Sequence, residues 1–314
     1  MAGSIAFVFP GQGSQFVGMG KALVEAFPEA REVFERADDA LGEKLSALCF
    51  EGPEEAQKLT ANTQPAILVT SVAAHAVFSR RFRTPPAFVA GHSLGEWSAL
   101  VAAGAIDLED AVRSVRLRGR FMQEAVPEGV GAMAAILGLE PEKVRAACEE
   151  VAQGEVVQPA NYNSPEQTVI AGHAAAVERA QARCKELGAR RAVPLPVSAP
   201  FHCALMEPVK GRLAEVLAGI EVRDPRTPVV TNVEAAPTSD AGRVRELLVR
   251  QVAAPVRWIE SVQAMAAAGV SRMVELGPGK VLSGLVRRID RGVDVVQVED
   301  PASLDKALAA LEGA

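Results

Sequence analysis

Short apolar runs alternate along this chain with longer stretches of helical periodicity. The apolar runs at residues 5–9 and 87–90 have the length of strands, whereas residues 64–82 and 108–124 are helical in pattern. Asp107 directly precedes the second of these helices, where it is placed to cap the first turn. Strands that alternate with helices predict a layered α/β core.

The pattern changes from Gly129 onward. The apolar segment GAMAAILG is followed by a helical segment, the extended segments EVVQPAN and QTVIAG, a second helical segment and the extended segment RAVPLPV. This order is βαββαβ, which is typical of a ferredoxin-like unit. Since a unit of roughly seventy residues can fold by itself, we expect residues 126–197 to form a small subdomain. It would be inserted into a large subdomain made of residues 1–125 and 198–314.

The composition is that of an ordinary globular protein. Hydrophobic residues make up 49% of the 314 positions, and the net charge of −6 disfavours binding to nucleic acid or to anionic membranes. The N-terminus carries no basic segment and Pro10 interrupts its apolar run, so we expect no signal peptide or membrane anchor and a cytoplasmic location. The four cysteines form no CxxC pair, so we expect neither disulfides nor a metal site.

The segment GHSLG at residues 91–95 lies between an apolar run and an alanine-rich stretch. Gly-x-Ser-x-Gly at a strand-to-helix junction predicts a nucleophile elbow, a strained turn that exposes the hydroxyl of Ser93. A serine hydroxyl is a weak nucleophile unless a base lies within hydrogen-bond reach, and histidine is the usual base near neutral pH.

The chain offers four histidines for that role. His75 lies inside a helical segment, which favours packing, and His173 follows a strand end, which favours a loop role. His92 adjoins Ser93, and in an elbow the two side chains should diverge. His202 lies at a junction between a strand and a helix, where functional residues concentrate. The residues alone leave it either a catalytic base or a structural cap.

An oxyanion formed at Ser93 needs hydrogen-bond donors, usually two backbone N–H groups. The amide of Leu94 is one candidate, and the glycine-rich segment FPGQGSQ at residues 9–15 can supply the second. Phosphate loops are the alternative interpretation of the glycine-rich turns. The GxGxxG pattern fails at Phe16, however, and a Walker A pattern around GPGK fails at Val274 and Val281. Nucleotide binding is therefore not expected.

Three arginines, Arg116, Arg118 and Arg120, fall on the later turns of the predicted helix 108–124. One interpretation is a solvated basic face. The other is that one guanidinium turns inward and binds a carboxylate through a bidentate pair. The residues alone leave both open.

Six segments together carry a family resemblance. Between Phe7 and about Leu285 the chain reads, in order, FPGQGSQ, GHSLGEWSAL, RLRGRFMQEAVPEGVGAM, NYNSPEQTVIAG, LPVSAPFHCALM and GPGKVLSGL. It resembles the malonyl-CoA:acyl-carrier-protein transacylases of bacterial type II fatty-acid synthesis, which are related to polyketide acyltransferase domains. The resemblance implies an α/β-hydrolase-like large subdomain with a parallel sheet, an inserted ferredoxin-like small subdomain and an active site between them.

The resemblance also implies residue roles. Ser93 would be the nucleophile and His202 its base, oriented by a backbone carbonyl near Gln251 instead of an acidic side chain. The backbone amides of Gln12 and Leu94 would form the oxyanion hole. The positions expected to bind substrate are Arg118, which would pair with the malonyl carboxylate, and Phe201, Gln251, Met122 and Asn161.

The implied activity is transfer of a malonyl group from malonyl-CoA to the phosphopantetheine thiol of acyl carrier protein, through a malonyl-serine ester and without a cofactor. Phe201 would disfavour methylmalonyl by occupying the space that an α-methyl group needs. A polyketide-synthase acyltransferase acting in trans and a serine thioesterase are the alternatives.

Carrier proteins are acidic, so docking to this acidic protein requires a local basic patch. We expect it at residues 183–191 (RCKELGARR), or otherwise at Arg80, Arg81 and Arg83, the alternative being merely solvated helix ends. No long apolar helix or heptad stripe is left unassigned, so a monomer is expected.

Overall fold

The computed structural model describes residues 4–197 and 199–312, which form a mixed α/β fold with two sheets. The strands in chain order are β1 (Ser4–Phe9), β2 (Phe88–Gly91), β3 (Gly131–Leu137), β4 (Val157–Ser164), β5 (Gln167–His173), β6 (Arg191–Pro194), β7 (Val229–Val230), β8 (Pro237–Thr238), β9 (Val270–Leu276) and β10 (Asp294–Val298). The helices are α1 (Lys21–Ala26), α2 (Pro28–Leu41), α3 (Leu45–Glu51), α4 (Glu54–Lys58), α5 (Thr60–Arg81), α6 (Leu94–Ala102), α7 (Leu108–Glu124), α8 (Pro141–Val151), α9 (Ala174–Glu186), α10 (Glu207–Ala218), α11 (Ala241–Gln251), α12 (Trp258–Ala267), α13 (Val281–Ile289) and α14 (Pro301–Glu312).

The larger sheet has the strand order β10-β9-β1-β2-β7-β8 and is parallel except for the short β7–β8 pair. Its central strand β1 is buried on both faces because successive side chains enter two different apolar clusters. Phe7 and Phe9 belong to one cluster, where the ring of Phe7 lies 5.5 Å from that of Phe78 on α5. Ala6 and Val8 belong to the other, which α12 and α13 cover.

The smaller sheet is antiparallel, with the order β4-β5-β3-β6. Together with α8 and α9 it follows the βαββαβ order of a ferredoxin-like unit, so the predicted fold class is confirmed. Alternate residues of β3 face opposite ways: Ala134 and Ile136 pack beneath the two helices, whereas Met133 and Ala135 join the core of the large subdomain. The boundaries at 126 and 197 stay a prediction, and residue 198 lies outside the described residues.

Local details differ from the sequence-based expectations. Helix α7 has the predicted bounds, but the Asp107 carboxylate does not cap it; it pairs with Arg223 on a neighbouring loop. Helix α5 starts at Thr60, four residues earlier than predicted, because tertiary packing buries its first turns, Pro65 included. All four cysteines are free and buried. Within residues 4–197 and 199–312, no helix has the length and apolar character needed to span a membrane.

Candidate active site

Ser93 occupies a sharp turn between β2 and α6. Its backbone φ is 51° and ψ is −107°, a conformation that L-residues rarely adopt. The turn can form because both flanking glycines lack a side chain. A Cβ on Gly91 would lie 1.9 Å from the carbonyl carbon of Gly95, and a Cβ on Gly95 would lie 2.0 Å from the oxygen of Phe9. The sequence GHSLG thus folds locally into the elbow geometry that its glycines predict.

His202 reaches Ser93 from the segment that precedes α10. Its Nε2 lies 2.7 Å from Ser93 Oγ, and its Nδ1 lies 2.8 Å from the backbone carbonyl oxygen of Gln251. A carbonyl can only accept, so Nδ1 carries the proton and Nε2 is free to accept the serine hydroxyl proton. Burial, followed by the nearby Arg118 cation, lowers the pKa of His202 to about 3, which keeps the ring neutral at physiological pH.

Two residues whose backbone N–H groups are unpaired among the described residues lie at the cavity beside Ser93. Gln12 follows β1 and Leu94 begins α6, and both residues line the cavity. Neither N–H donates to another residue in the described part of the chain. The Gln12 side chain is turned aside, since its Nε2 donates to Thr60 Oγ1 at 3.3 Å. These two amides lie at the carboxyl ends of adjacent parallel strands, which is where the sheet topology gathers ligand sites.

The three arginines of α7 have different environments. Arg116 pairs with Glu43, and Arg120 lies 3.6 Å from Glu124 at the surface. Arg118 turns inward and is 1% exposed. Its Nη2 donates to Ser93 Oγ at 3.3 Å, and burial lowers its pKa only to about 10, so it remains a cation. The interpretation of an inward-turned guanidinium therefore holds for Arg118, and the interpretation of a surface basic face holds for Arg120.

The cavity over Ser93 has a volume of about 100 Å³ and shares lining residues, Gln12 and Asn161 among them, with a groove of about 450 Å³. Met122, Asn161 and Phe201, which the resemblance implies as substrate-binding positions, line the cavity. The groove continues between the loop after β1, strands β4 and β5 of the small sheet, and the first turns of α13. Gln251 does not line the cavity; its side chain lies behind Arg118, to which its Oε1 is bonded at 2.9 Å.

Comparisons with known proteins show the family to which this chain belongs. Residues 6–303 match the family model described as acyl transferase domain. The chain belongs to the acyl transferase family. It is 53% identical over 303 residues to the malonyl CoA-acyl carrier protein transacylase of Escherichia coli K12, covering 96% of this chain and 98% of the relative. The corresponding Bacillus subtilis protein is 50% identical, covering 98% of this chain and 97% of the relative.

Solved structures of relatives superpose closely on this acyltransferase. An acyl carrier protein S-malonyltransferase from Vibrio cholerae has a TM-score of 0.95 and 51% identity, covering 97% of this chain and 99% of that one. A malonyl-transacylase solved in complex with a type II PKS acyl-carrier protein has the same TM-score and identity, covering 98% and 99%. These values confirm the family that the sequence motifs indicated.

Sequence reasoning missed the groups that hold the elbow of this acyltransferase in place. Asn232, which follows β7, accepts from Ser93 N–H at 2.7 Å and donates to the Gly91 carbonyl at 2.6 Å. Glu96 accepts from the Asn232 N–H at 2.8 Å. The available signal was a polar residue two positions after a buried strand, since strand ends of a parallel sheet meet at one edge. The Nε2 of His92 contacts Asn163 Oδ1 at 2.8 Å, and His92 lines the cavity together with Ser93.

No cluster of three or more His, Cys, Asp or Glu side chains suited to a metal ion occurs among the described residues. The remaining histidines have packing environments. His75 lies beside the rings of Phe7 and Phe9, and burial lowers its pKa to about 4. His173 ends β5 and its Nδ1 accepts from the Val156 N–H at 2.9 Å.

Proposed function

We propose that this acyltransferase transfers a malonyl group from malonyl-CoA to the phosphopantetheine thiol of acyl carrier protein, through an ester on Ser93, and so supplies extender units for fatty-acid synthesis. The observation that carries the proposal is the buried Arg118 guanidinium 3.3 Å from the Ser93 hydroxyl. A cation at that position fits an acyl group that ends in a carboxylate. The relatives named malonyl CoA-acyl carrier protein transacylase support the same reaction.

In the first half-reaction, His202 Nε2 takes the proton of Ser93 as Oγ attacks the thioester carbonyl carbon. The carbonyl oxygen becomes an oxyanion and accepts from the N–H groups of Gln12 and Leu94. When the tetrahedral intermediate collapses, the C–S bond breaks and CoA leaves with the proton that His202 returns. The steps exchange an acyl group and a proton, and so call for no cofactor.

Arg118 selects the acyl group by its charge. A malonyl carboxylate pairs with the guanidinium in the closed cavity, whereas an acetyl group leaves the cation without a partner there. Methylmalonyl also carries a carboxylate, so charge does not distinguish it. Phe201 lines the cavity and is 7% exposed, and its ring restricts the space for an α-methyl group. One methyl group contributes only about 1–3 kcal/mol, so we expect a preference and not complete exclusion.

In the second half-reaction, the thiol of the carrier protein attacks the malonyl-serine ester by the reverse route. The groove of about 450 Å³ gives a phosphopantetheine arm access to Ser93. The basic segment 183–191 remains the proposed docking surface, but surface ion pairs reduce its free charge. Arg183 pairs with Glu150, and Arg190 pairs with Glu166 at 2.7 Å. Lys185 and Arg191 form no ion pair within the described part of the chain.

A polyketide carrier is the second candidate acceptor, because one similar structure contains a type II PKS acyl-carrier protein with its malonyl-transacylase. Initial rates with purified carrier proteins of the two pathways, measured side by side, distinguish the acceptors. A cytoplasmic location and a monomeric state stay predictions.

The test of the proposed function is intact-mass analysis after incubation with malonyl-CoA or acetyl-CoA in the absence of carrier protein. The unaltered protein should gain a malonyl group, Ser93→Ala should gain none, and Arg118→Ala should lose its preference for malonyl over acetyl. Absence of an adduct while free CoA accumulates would instead support the thioesterase alternative, in which water completes the reaction.

A further inference from the structure

Arg118 is a buried cation whose hydrogen-bond partners are all neutral. Its guanidinium donates to Gln64 Oε1 at 2.6 Å, to Gln251 Oε1 at 2.9 Å and to Ser93 Oγ at 3.3 Å. A buried guanidinium is costly unless a negative charge lies nearby. Before substrate binds, the protein itself must therefore supply the balancing charge.

Glu96 supplies that charge. It lies in the first turn of α6, three residues after Ser93, and is 1% exposed. Burial is the main influence on Arg118 and lowers its pKa to about 10, while the charge of Glu96 acts in the opposite direction. The two charged groups are not in direct contact; the side-chain amide of Gln251 lies between them.

The Gln251 amide can take only one orientation in this position. Its Oε1 accepts from Arg118, and its Nε2 donates to Glu96 Oε2 at 2.9 Å and to the Ser93 carbonyl at 3.1 Å. The flipped amide would place NH₂ against the guanidinium and an oxygen against two acceptors. The Arg118 cation on one side and the Glu96 carboxylate on the other thus fix the orientation of the Gln251 amide.

Hydrogen bonding alone does not require a carboxylate at this position. Glu96 Oε2 accepts from the Asn232 N–H at 2.8 Å and from Gln251 Nε2, and the amide oxygen of a glutamine could accept both bonds. What a glutamine could not provide is the negative charge. The feature specific to glutamate is therefore its electrostatic effect on Arg118.

We propose that Glu96 is a positioning residue for the acyl carboxylate: its charge, acting across the Gln251 amide, balances Arg118 in the acyl-free enzyme and limits how tightly Arg118 holds malonyl. The inference rests on the proposed function. Its consequence is a malonyl-serine ester stable enough to wait for the second thiol but not so stable that transfer to the carrier slows.

The surroundings of Glu96 make its charge sensitive to pH. Burial raises the pKa of Glu96 to about 7. Helix α6 packs against β1, β2, β7, α5 and α7. The groups that these elements and the adjoining segments bring to this interior are Arg118, which stays charged, and His75, His92 and His202, whose pKa values burial lowers. Near pH 7, Glu96 is thus the member of this set that changes charge.

The test is single-turnover acylation of Ser93 by malonyl-CoA and by acetyl-CoA, comparing the unaltered protein with Glu96→Gln. At pH 8 the variant should reach half-saturation at a malonyl-CoA concentration about five- to tenfold lower. The acetyl-CoA values should not change, and transfer from malonyl-serine to the carrier protein should slow. At pH 6, where Glu96 is largely protonated, the unaltered protein should approach the variant.

Glu275→Gln is the matched control. Glu275 is also buried, and its carboxylate accepts from the backbone N–H groups of Leu282 and Ser283, outside the cavity. Removing this charge should leave the malonyl-to-acetyl ratio unchanged, so an altered ratio specific to Glu96→Gln supports the inference.

Two results would overturn it: half-saturation by malonyl-CoA that is unchanged in Glu96→Gln at pH 8, or an equal loss with both thioesters, which indicates a structural role. If the variant does not fold, the unaltered protein still tests the inference. Its malonyl-CoA concentration at half-saturation must fall from pH 8 to pH 6, while its acetyl-CoA concentration at half-saturation must not. If a malonyl adduct forms but these effects are absent, the inference about Glu96 is wrong and the proposed function still holds. If no malonyl adduct forms at all, the proposed function itself is wrong.

Discussion

At the scale of single residues, the candidate site depends on two strained backbone positions. Ser93 has a φ of 51° and His202 a φ of 59°, both in a region that favours glycine. Surrounding hydrogen bonds hold this strain: Asn232 accepts from Ser93 N–H, and the Val252 carbonyl accepts from His202 N–H at 3.2 Å. A strained backbone conformation persists only where several neighbouring contacts hold it in place. Here the strained backbone places Ser93 Oγ 2.7 Å from His202 Nε2.

The neutral state of His202 predicts an unusual pH profile. Because burial and Arg118 lower its pKa to about 3, Ser93 should react with an uncharged fluorophosphonate at a rate that stays flat from about pH 8 to about pH 5. Removing the cation in Arg118→Ala raises the pKa of His202, so the decline should begin at a higher pH in that variant. Labelling followed by intact mass, with circular dichroism as a control for folding, measures both. A decline centred near pH 6.5 in the unaltered protein contradicts the assignment.

The ring of Phe201 should limit the acyl groups that the cavity accepts. Phe201→Ala should raise kcat/KM for methylmalonyl-CoA relative to malonyl-CoA by about tenfold, since the ring then no longer occupies the space of the α-methyl group. Competition between the two thioesters, read by mass on Ser93, gives the ratio directly. An unchanged ratio would show that another part of the cavity excludes the methyl group.

At the scale of elements, the close junction of β1, β2 and α6 positions the nucleophile. The Phe9 carbonyl approaches Gly95 so closely that no side chain fits between the strand and the helix. This contact brings the N-terminus of α6 against the loop after β1, so that Leu94 and Gln12 line one cavity. The glycines of the motif therefore serve packing between elements as much as the turn itself.

This packing predicts opposite effects for two glycine substitutions. Gly91→Ala should destabilise the protein by about 3 kcal/mol or more, because the added Cβ would lie 1.9 Å from backbone carbon. Gly211→Ala, in the middle of α10 where nothing lies within 4 Å of the added Cβ, should be neutral or stabilise by about 0.5–1 kcal/mol. Urea unfolding midpoints compare the two. Equal midpoints would mean that the elbow relaxes around a methyl group.

At the scale of the whole molecule, the candidate site belongs to both subdomains. The nucleophile and the arginine come from the large sheet and its helices, whereas Asn161 and Met133 on the small sheet close the cavity from the other side. Close to this boundary, His92 contacts Asn163 of β4. The groove of about 450 Å³ adjoins the cavity, and we expect both CoA and the carrier protein to use it in turn.

The sequential use of one groove predicts that docking and acylation can be separated. Lys185→Glu should raise the KM for carrier protein several-fold and leave acylation by malonyl-CoA unchanged, because charge at a rim acts mainly on association. Lys210→Glu makes the same change of charge on α10, which packs against α7 and α11, and should leave both unchanged. Steady-state kinetics at two salt concentrations measure the effect. A carrier KM that Lys185→Glu does not alter excludes this docking surface.

The sequence by itself determined the fold class, the nucleophile elbow and the family. Apolar periodicity is a local property, and the glycines of GHSLG act on the turn that contains them, so both can be deduced without the fold. Motifs of known relatives supplied the candidate roles of His202, Arg118 and Gln251, and the structure brings these residues together around Ser93. Without that resemblance, the residues of α7 left open which arginine of the triplet turns inward, and the structure shows that it is Arg118.

Only the tertiary structure decided how the charges of the site are balanced. Glu96 and Arg118 are 22 positions apart and Asn232 and Gln251 come more than a hundred positions later, yet side-chain hydrogen bonds join them behind the cavity. Asp107 shows the converse, since a helix-cap position in the sequence pairs instead with distant Arg223. The physical reason is the same in each case. A buried polar or charged group must find a partner in space, and the fold, not the chain neighbours, determines which partner lies within reach.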